Sequence, residues 1–118
     1  MLNPISAAFK KAKKENRPAL LTYTVAGDSS KKQSLEILKA ISNYADILEV
    51  GVPHNTPVAD GGQIQTSAYR AIKNGIKMND IFKIVSDFKK SKNSKPVILM
   101  GYYNILFWIN FFYFIIVF

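Results

Sequence analysis

Three short apolar runs alternate with amphipathic segments along this chain, and that alternation limits the folds open to it. The runs cover residues 19–27, 45–51 and 95–103. Between them, apolar residues recur every three or four positions, which is the period of a helix with one buried face. Short continuous apolar strands separated by such helices are typical of a parallel sheet covered by helices. We therefore predict an α/β fold whose three strands lie side by side in chain order.

Four helices are predicted around these strands, and two of them have clear end signals. Their apolar stripes fall at residues 5–12, 30–43, 64–74 and 81–88. Gly75 is placed to cap the C-terminus of the third helix, because glycine readily adopts the left-handed conformation found there. Asn79 or Asp80 is expected to cap the N-terminus of the fourth, since both side chains can accept a main-chain N–H.

Length and composition exclude several classes of protein. The 118 residues make one domain or part of one, whereas a closed eight-stranded barrel takes about 250 residues. No cysteine is present, which excludes a disulfide framework and a thiolate zinc site. The net charge is +8, but no aromatic residues interleave with the lysine clusters at 10–14 and 89–95. We therefore expect solvated helix faces, no nucleic-acid partner and a cytoplasmic location.

Two carboxylates flank a loop rich in glycine and proline that follows the second strand. Glu49 lies within the apolar run, where an unpaired carboxylate is strongly disfavoured. Asp60 follows eleven residues later, in the loop. The carboxyl ends of parallel strands meet at one edge of the sheet, so this loop and Tyr102 should converge there. We hypothesise an acid/base pair, with Glu49 half-dehydrated on the face shared with Ile47 and Asp60 in water.

The spacing also leaves a purely structural interpretation open. Glu49 could pair with a lysine, and Asp60 could cap the helix that begins near Gly62. The single histidine, His54, is interpreted as a variable loop residue and not as a metal ligand.

One segment resembles a known family. The sequence LEVGVPHNTPVADGGQIQ at residues 48–65 is similar to the signature of the tryptophan synthase alpha subunit, usually E-L-G-V-P-F-S-D-P-x-A-D-G-P-x-I-Q. The flanking segments LLTYTVAGDSS at 20–30, SAYRAIKNGIKMNDIFKIV at 67–85 and PVILMGYYN at 96–104 also agree with that family. The resemblance runs in one register from about Arg17 to Asn104.

This resemblance implies part of a TIM (β/α)8 barrel, namely its first three βα units with an N-terminal helix, over residues 1–104. The implied reaction is the retro-aldol cleavage of indole-3-glycerol phosphate to indole and glyceraldehyde 3-phosphate, which needs no cofactor. Glu49 takes the general acid/base role, and Asp60 holds the indole N–H and stabilises positive charge on the ring.

The resemblance also implies substrate and partner contacts. Tyr23, Ile64 and Tyr102 match positions that line the indole pocket, although apolar and aromatic residues at such places can equally be plain core. The family's partner is a beta subunit that carries pyridoxal phosphate. Its contact corresponds to residues 53–60, including Pro53 and Pro57, together with Asn104.

Departures from the family pattern occur within that contact loop. His54, Asn55 and Thr56 stand where Phe, Ser and Asp are usual. Thr56 lacks the charge expected to pair with the partner, so the resemblance supports signalling between subunits less strongly than it supports cleavage.

Residues 105–118, ILFWINFFYFIIVF, form an atypical apolar tail. We interpret it as the product of a shifted reading frame or a truncated gene prediction, in preference to a membrane or interface tail. Residues 97–118 contain no charge and are long enough to span a bilayer, but the first of them are already assigned to the third strand. Two alternatives stay open: another phosphate-sugar TIM-barrel enzyme, and a non-enzymatic membrane- or partner-binding fragment.

We predict that the isolated chain has little or no lyase activity. In the family, the phosphate site is formed by glycine-rich loops late in the barrel, and this sequence contains three strands. The measurement is indole release from indole-3-glycerol phosphate by the purified chain. Turnover near that of a full-length alpha subunit would contradict the prediction.

Overall fold

The computed structural model describes residues 3–103 and 116–117. Its elements in chain order are α1 (Pro4–Lys14), β1 (Leu21–Val25), α2 (Lys31–Ile41), β2 (Ile47–Gly51), α3 (Gly62–Lys73), α4 (Met78–Lys89), β3 (Val97–Met100) and β4 (Ile116–Val117). The sheet order is β1-β2-β3-β4, with β1, β2 and β3 mutually parallel. The predicted α/β architecture and strand order are confirmed.

The two residues of β4 pair antiparallel with β3, which the sequence did not predict. The rest of the apolar tail at 105–118, and Asn104 before it, lie outside the described residues. Within the part of the chain that is described, no helix has the length and apolar character needed to cross a membrane.

Strand β2 is the centre of the parallel sheet, and its two faces meet different surroundings. Leu48 and Val50 are buried in one cluster with residues of α2 and α4, such as Leu38, Ile81 and Phe88. Because side chains alternate along a strand, Glu49 belongs to the opposite face. Helices α2 and α4 therefore cover one face of β2, and Glu49 belongs to the face that points away from them.

Helix ends follow the expected chemistry at one position and differ at another. Gly75 follows α3 with φ +75°, which confirms it as the C-terminal stop. The expected cap of α4 by Asn79 or Asp80 is wrong, because the helix begins earlier and Lys77 is the N-cap. The Asp80 carboxylate reaches back from the first turn to accept the Lys77 N–H at 2.9 Å, so an acid at this position stabilises an earlier start.

An ion pair holds the N-terminal ends of β1 and β2 together. The Arg17 guanidinium donates to both carboxylate oxygens of Asp46, at 2.7 and 2.8 Å. The same carboxylate accepts the Leu20 N–H at 2.8 Å, and Asp46 is only 7% exposed. Hydrogen bonds from Arg17 and from the Leu20 amide hold the pKa of Asp46 well below its usual range. Asp46 therefore links the residues that precede β1 to the start of β2.

We expect Asp46→Asn to lower the melting temperature of the chain at pH 7 by about 5 °C. Asn keeps an acceptor for Leu20 but loses the bidentate pair with Arg17. Because the pKa of Asp46 is lowered in the folded state, its stabilisation is complete above the pKa of the unfolded carboxyl, about 4. It is lost as the pH falls below that value, so the difference between variant and parent should narrow in acid.

Asp87→Asn is the matched control, because Asp87 pairs with Lys83 and Lys90 on the exposed surface. Such pairs contribute little, and the control should melt within about 2 °C of the parent at pH 7. Thermal unfolding followed by circular dichroism between pH 3 and 7 makes the comparison. Equal melting temperatures for Asp46→Asn and the control would contradict this account of Asp46.

Candidate active site

Glu49 lies on the interior face of the sheet, between the neighbouring strands. Its Cα partners are Tyr23 on β1 and Ile98 on β3, and its side chain is half-buried. Among residues 3–103, its carboxylate forms no ion pair and no side-chain hydrogen bond. The alternative in which Glu49 pairs with a lysine is therefore wrong, because no lysine on these elements reaches that face. A carboxylate in this position is available to a bound molecule.

Because Gly51 has no side chain, the ring of Tyr23 has room to lie on this same face. A methyl group built at Gly51 would overlap the phenol oxygen and ring edge of Tyr23, so the ring lies directly across the end of β2. Gly51 is two residues after Glu49 and points to the same side of the strand. The absent side chain at Gly51 thus brings the Tyr23 hydroxyl over β2, next to Glu49.

Asp60 reaches the same end of the sheet from the loop between β2 and α3. Its Oδ2 accepts the Tyr102 hydroxyl at 3.2 Å, and the Tyr102 oxygen accepts the Ala59 N–H at 2.8 Å. The alternative in which Asp60 caps α3 is wrong, because Gly61 is the N-cap and no side chain caps that helix. The Asp60 carboxylate is turned instead toward the end of β3.

A cavity of about 180 Å³ opens at this end of the sheet. Its lining residues come from β1, from the two loops and from the end of β3: Tyr23, Val52, Ala59, Asp60, Met100, Gly101 and Tyr102. Ile64 does not line this cavity but packs, with Tyr23, against the buried cluster of Val25, Ala68 and Ala71. Glu49 is absent from the lining and lies beside Tyr23. The structure thus brings Tyr23, Asp60 and Tyr102 together around one space.

The pKa of the Tyr23 phenol is raised above its usual value. Burial raises the pKa of its phenol, and the negative charges of Asp60 and Glu49 raise it further. Tyr23 therefore remains a neutral hydrogen-bond donor throughout the physiological range. Tyr23 shares the cavity lining with Asp60 and lies beside Glu49 on the neighbouring strand.

Sequence reasoning missed the part that His54 plays in this loop. Its ring stacks on Tyr102, with ring centroids 4.6 Å apart and planes inclined by 28°. Its Nδ1 accepts the Thr56 N–H at 2.9 Å. The two-residue spacing could have suggested the second contact, since side chains often bond main-chain groups two residues on. The stacking joins residues 48 positions apart and has no local signal.

The positions assigned to a partner contact lie at the outer side of the site. Pro53 and Pro57 are half-buried in the loop, and Val58 between them and Asp60 is 81% exposed. Asn104, the other position assigned to that contact, lies outside the described residues. Within the described ranges, no group of three or more His, Cys, Asp or Glu residues is arranged to hold a metal ion.

Comparison with known proteins decides the family. The sequence profile described as "Tryptophan synthase alpha chain" matches residues 9–117. The chain belongs to the tryptophan synthase alpha chain family. The matched segment extends beyond residues 17–104, which the motifs identified. The match favours this family over a different phosphate-sugar barrel enzyme or a non-enzymatic fragment.

Individual alpha chains agree with this assignment. The tryptophan synthase alpha chain of Pelagibacter ubique is 75% identical over 103 residues, which cover 87% of this chain and 39% of the relative. That of Thermococcus kodakarensis is 46% identical over 89 residues, covering 75% of this chain and 35% of the relative. The chain thus spans less than half the length of these alpha chains.

Solved structures of alpha subunits share the fold. The subunit from Legionella pneumophila has a TM-score of 0.88 at 32% identity, over 93% of this chain and 42% of that one. The alpha chain matched in the a2b2 complex of Pyrococcus furiosus has a TM-score of 0.74 at 41% identity, over 78% and 39% of the two chains. The described residues are thus part of an alpha-subunit TIM barrel, as the resemblance implied.

We expect Gly51→Ala to destabilise the chain by about 1–3 kcal/mol, because the added methyl group overlaps the Tyr23 ring. In a Tyr23→Ala background the same substitution should cost about 1 kcal/mol less, since the overlapping ring is gone. Urea unfolding of the four proteins measures both free energies. If Gly51→Ala costs the same in both backgrounds, the Tyr23 ring does not lie across β2.

Proposed function

We propose that this chain carries the acid/base residues for the cleavage of indole-3-glycerol phosphate to indole and glyceraldehyde 3-phosphate. The observation that carries the proposal is that Asp60 and Tyr23 line one cavity at the end of a parallel sheet, while Glu49 is the neighbour of Tyr23 on β2. One carboxylate comes from the strand and the other from the loop that follows it. The choice of indole-3-glycerol phosphate as the substrate rests on membership of the alpha chain family.

Glu49 moves the proton in this proposal. It donates a proton to the indole ring carbon that bears the glycerol chain. The carbon–carbon bond then breaks and its electron pair returns to the ring, while the adjacent hydroxyl gives its proton to Glu49 and becomes the aldehyde carbonyl. One carboxyl group thus serves first as acid and then as base, which requires that no lysine hold it permanently ionised. The absence of an ion pair on Glu49 within residues 3–103 supports this role.

Asp60 is assigned to the indole nitrogen. Its Oδ2 is held by the Tyr102 hydroxyl, whereas within the described residues no donor is bonded to Oδ1. That second oxygen is available to accept the ring N–H and to stabilise positive charge that develops on the ring as its carbon is protonated. An oriented carboxylate does this better than a mobile one, because no reorganisation is needed during the reaction.

Tyr23, Ile64 and Tyr102 are assigned to substrate binding. Tyr23 and Tyr102 supply aromatic surface on the cavity wall. Ile64, in the first turn of α3, does not line the cavity. It packs with Tyr23 against the cluster that joins α3 to β1, and in this way supports the Tyr23 ring. A planar apolar ring fits such a lining better than a charged ligand does.

The proposed partner is a tryptophan synthase beta subunit, docked at residues 53–60 with Pro53, Pro57 and Asn104 at the contact. The alpha chain's own reaction uses no cofactor in this proposal, and pyridoxal phosphate belongs to the beta subunit. The Pyrococcus furiosus structure supports the partner because it is that of a tryptophan synthase a2b2 complex. The high exposure of Val58 supplies apolar surface at the same loop.

Substitution of each acid tests the roles in a chimera. Residues 9–103 of this chain replace the matching segment of the Pelagibacter ubique alpha chain, whose 75% identity favours correct packing. We expect Glu49→Gln to lower kcat about 10³-fold, because the amide cannot transfer the proton. Asp60→Asn should lower kcat about 10²-fold, because the charge opposite the ring is lost. Indole release from indole-3-glycerol phosphate is the assay.

Glu36→Gln is the matched control, because Glu36 is an exposed residue of α2 that pairs with Lys39. Its kcat should stay within about twofold of the parent chimera. An inactive parent chimera that is folded by circular dichroism, or full activity of Glu49→Gln, would rule out the proposed function.

A further inference from the structure

The loop between β2 and α3 is held by a stacked pair that we name the His54–Tyr102 clasp. The imidazole of His54 lies on the phenol ring of Tyr102, with centroids 4.6 Å apart and planes inclined by 28°. Both side chains are half-buried. His54 belongs to the start of the loop, and Tyr102 follows β3, so the clasp connects the loop to the neighbouring strand.

The imidazole also orders the loop's own backbone. Its Nδ1 accepts the Thr56 N–H at 2.9 Å, which leaves the proton of the neutral ring on Nε2. This hydrogen bond closes a tight turn over residues 54–56. The ring is therefore fixed by its edge as well as by its face.

Tyr102 acts on the far end of the same loop. Its hydroxyl donates to Asp60 Oδ2 at 3.2 Å and its oxygen accepts the Ala59 N–H at 2.8 Å. A phenol that swings away breaks both contacts together. Stacking on His54 opposes that swing, because one side of the Tyr102 ring is already occupied.

We propose that His54 is a positioning residue: by stacking on Tyr102, and by fixing its own ring through Thr56, it holds the Asp60 carboxylate in its orientation at the cavity. His54 contacts Tyr102 and not Asp60, so it acts through another side chain. The expected effect of His54 on turnover rests on the proposed function. Its expected effect on the structure of the loop rests on the clasp alone.

Three substitutions separate the stacking of His54 on Tyr102 from its hydrogen bond with Thr56. His54→Phe keeps an aromatic ring on Tyr102 but has no acceptor for Thr56. His54→Asn keeps an oxygen that can accept the N–H two residues on, but has no ring. His54→Ala removes both contacts. Gln63→Ala is the matched control, because Gln63 is an exposed residue of α3 outside the 53–60 loop.

Amide hydrogen exchange of this chain, followed by NMR, tests the clasp directly. In His54→Ala, the amides of Thr56 and Ala59 should exchange about threefold to tenfold faster than in the parent. His54→Phe should restore slow exchange at Ala59 only, and His54→Asn at Thr56 only. Gln63→Ala should leave the Ala59 rate unchanged.

Turnover of the same variants in the Pelagibacter chimera tests positioning. His54→Ala should lower kcat about tenfold, because a small displacement of a reacting group is costly. Its KM should change less than about threefold, since binding is lost less than orientation. His54→Phe should recover most of the kcat, whereas His54→Asn should not.

Three results would overturn the inference: unchanged exchange at Ala59 in His54→Ala, equal kcat for His54→Ala and Gln63→Ala, or rescue of kcat by Asn in preference to Phe. Failure of the proposed function appears elsewhere, as undiminished turnover in Asp60→Asn. The exchange pattern of the clasp is independent of that result, so the two failures are distinguishable.

Discussion

The central strand β2 must place apolar side chains and a carboxylate at alternate positions, and the rest of the structure depends on that constraint. Leu48 and Val50 bury themselves beneath α2 and α4, which commits Glu49 to the other face. A slip of one residue would bury the carboxylate under the helices and expose the two apolar side chains. The free energy of core burial therefore also sets the direction of Glu49.

Stability and the candidate chemistry occupy opposite ends of the strands. At the N-terminal end, the Asp46 carboxylate is saturated by Arg17 and by the Leu20 amide. At the C-terminal end, Glu49 has no such partner within residues 3–103, and Asp60 has one tyrosine hydroxyl. A carboxylate with every oxygen bonded is fixed in its ionised form. A carboxylate without such partners can still respond to a ligand. This separation of stabilising and chemical residues agrees with the usual layout of TIM barrels.

The loop that carries Asp60 has no strand or helix of its own, and side chains supplement the main-chain turns at Val58 and Asp60 in satisfying its backbone. Tyr102 accepts the Ala59 N–H, His54 accepts the Thr56 N–H, and Gln65 donates to the Asp60 carbonyl at 2.8 Å. The side chains of Tyr102 and His54 thus accept main-chain N–H groups that a neighbouring strand would accept in a sheet. The same contacts that order the loop also set the orientation of Asp60, which connects local loop stability with the proposed chemistry.

The amino-acid sequence by itself determined the strands, their parallel order and the stop at Gly75, because these follow from local periodicity and backbone preference. The motif around Glu49 and Asp60 was enough to indicate the family, since spacing and residue type survive without coordinates. Only the tertiary structure decided the hydrogen bond from the Tyr102 hydroxyl to Asp60 and the stacking of His54 on Tyr102. These contacts depend on how side chains meet across space. Two residues 42 or 48 positions apart become neighbours only after the sheet has formed.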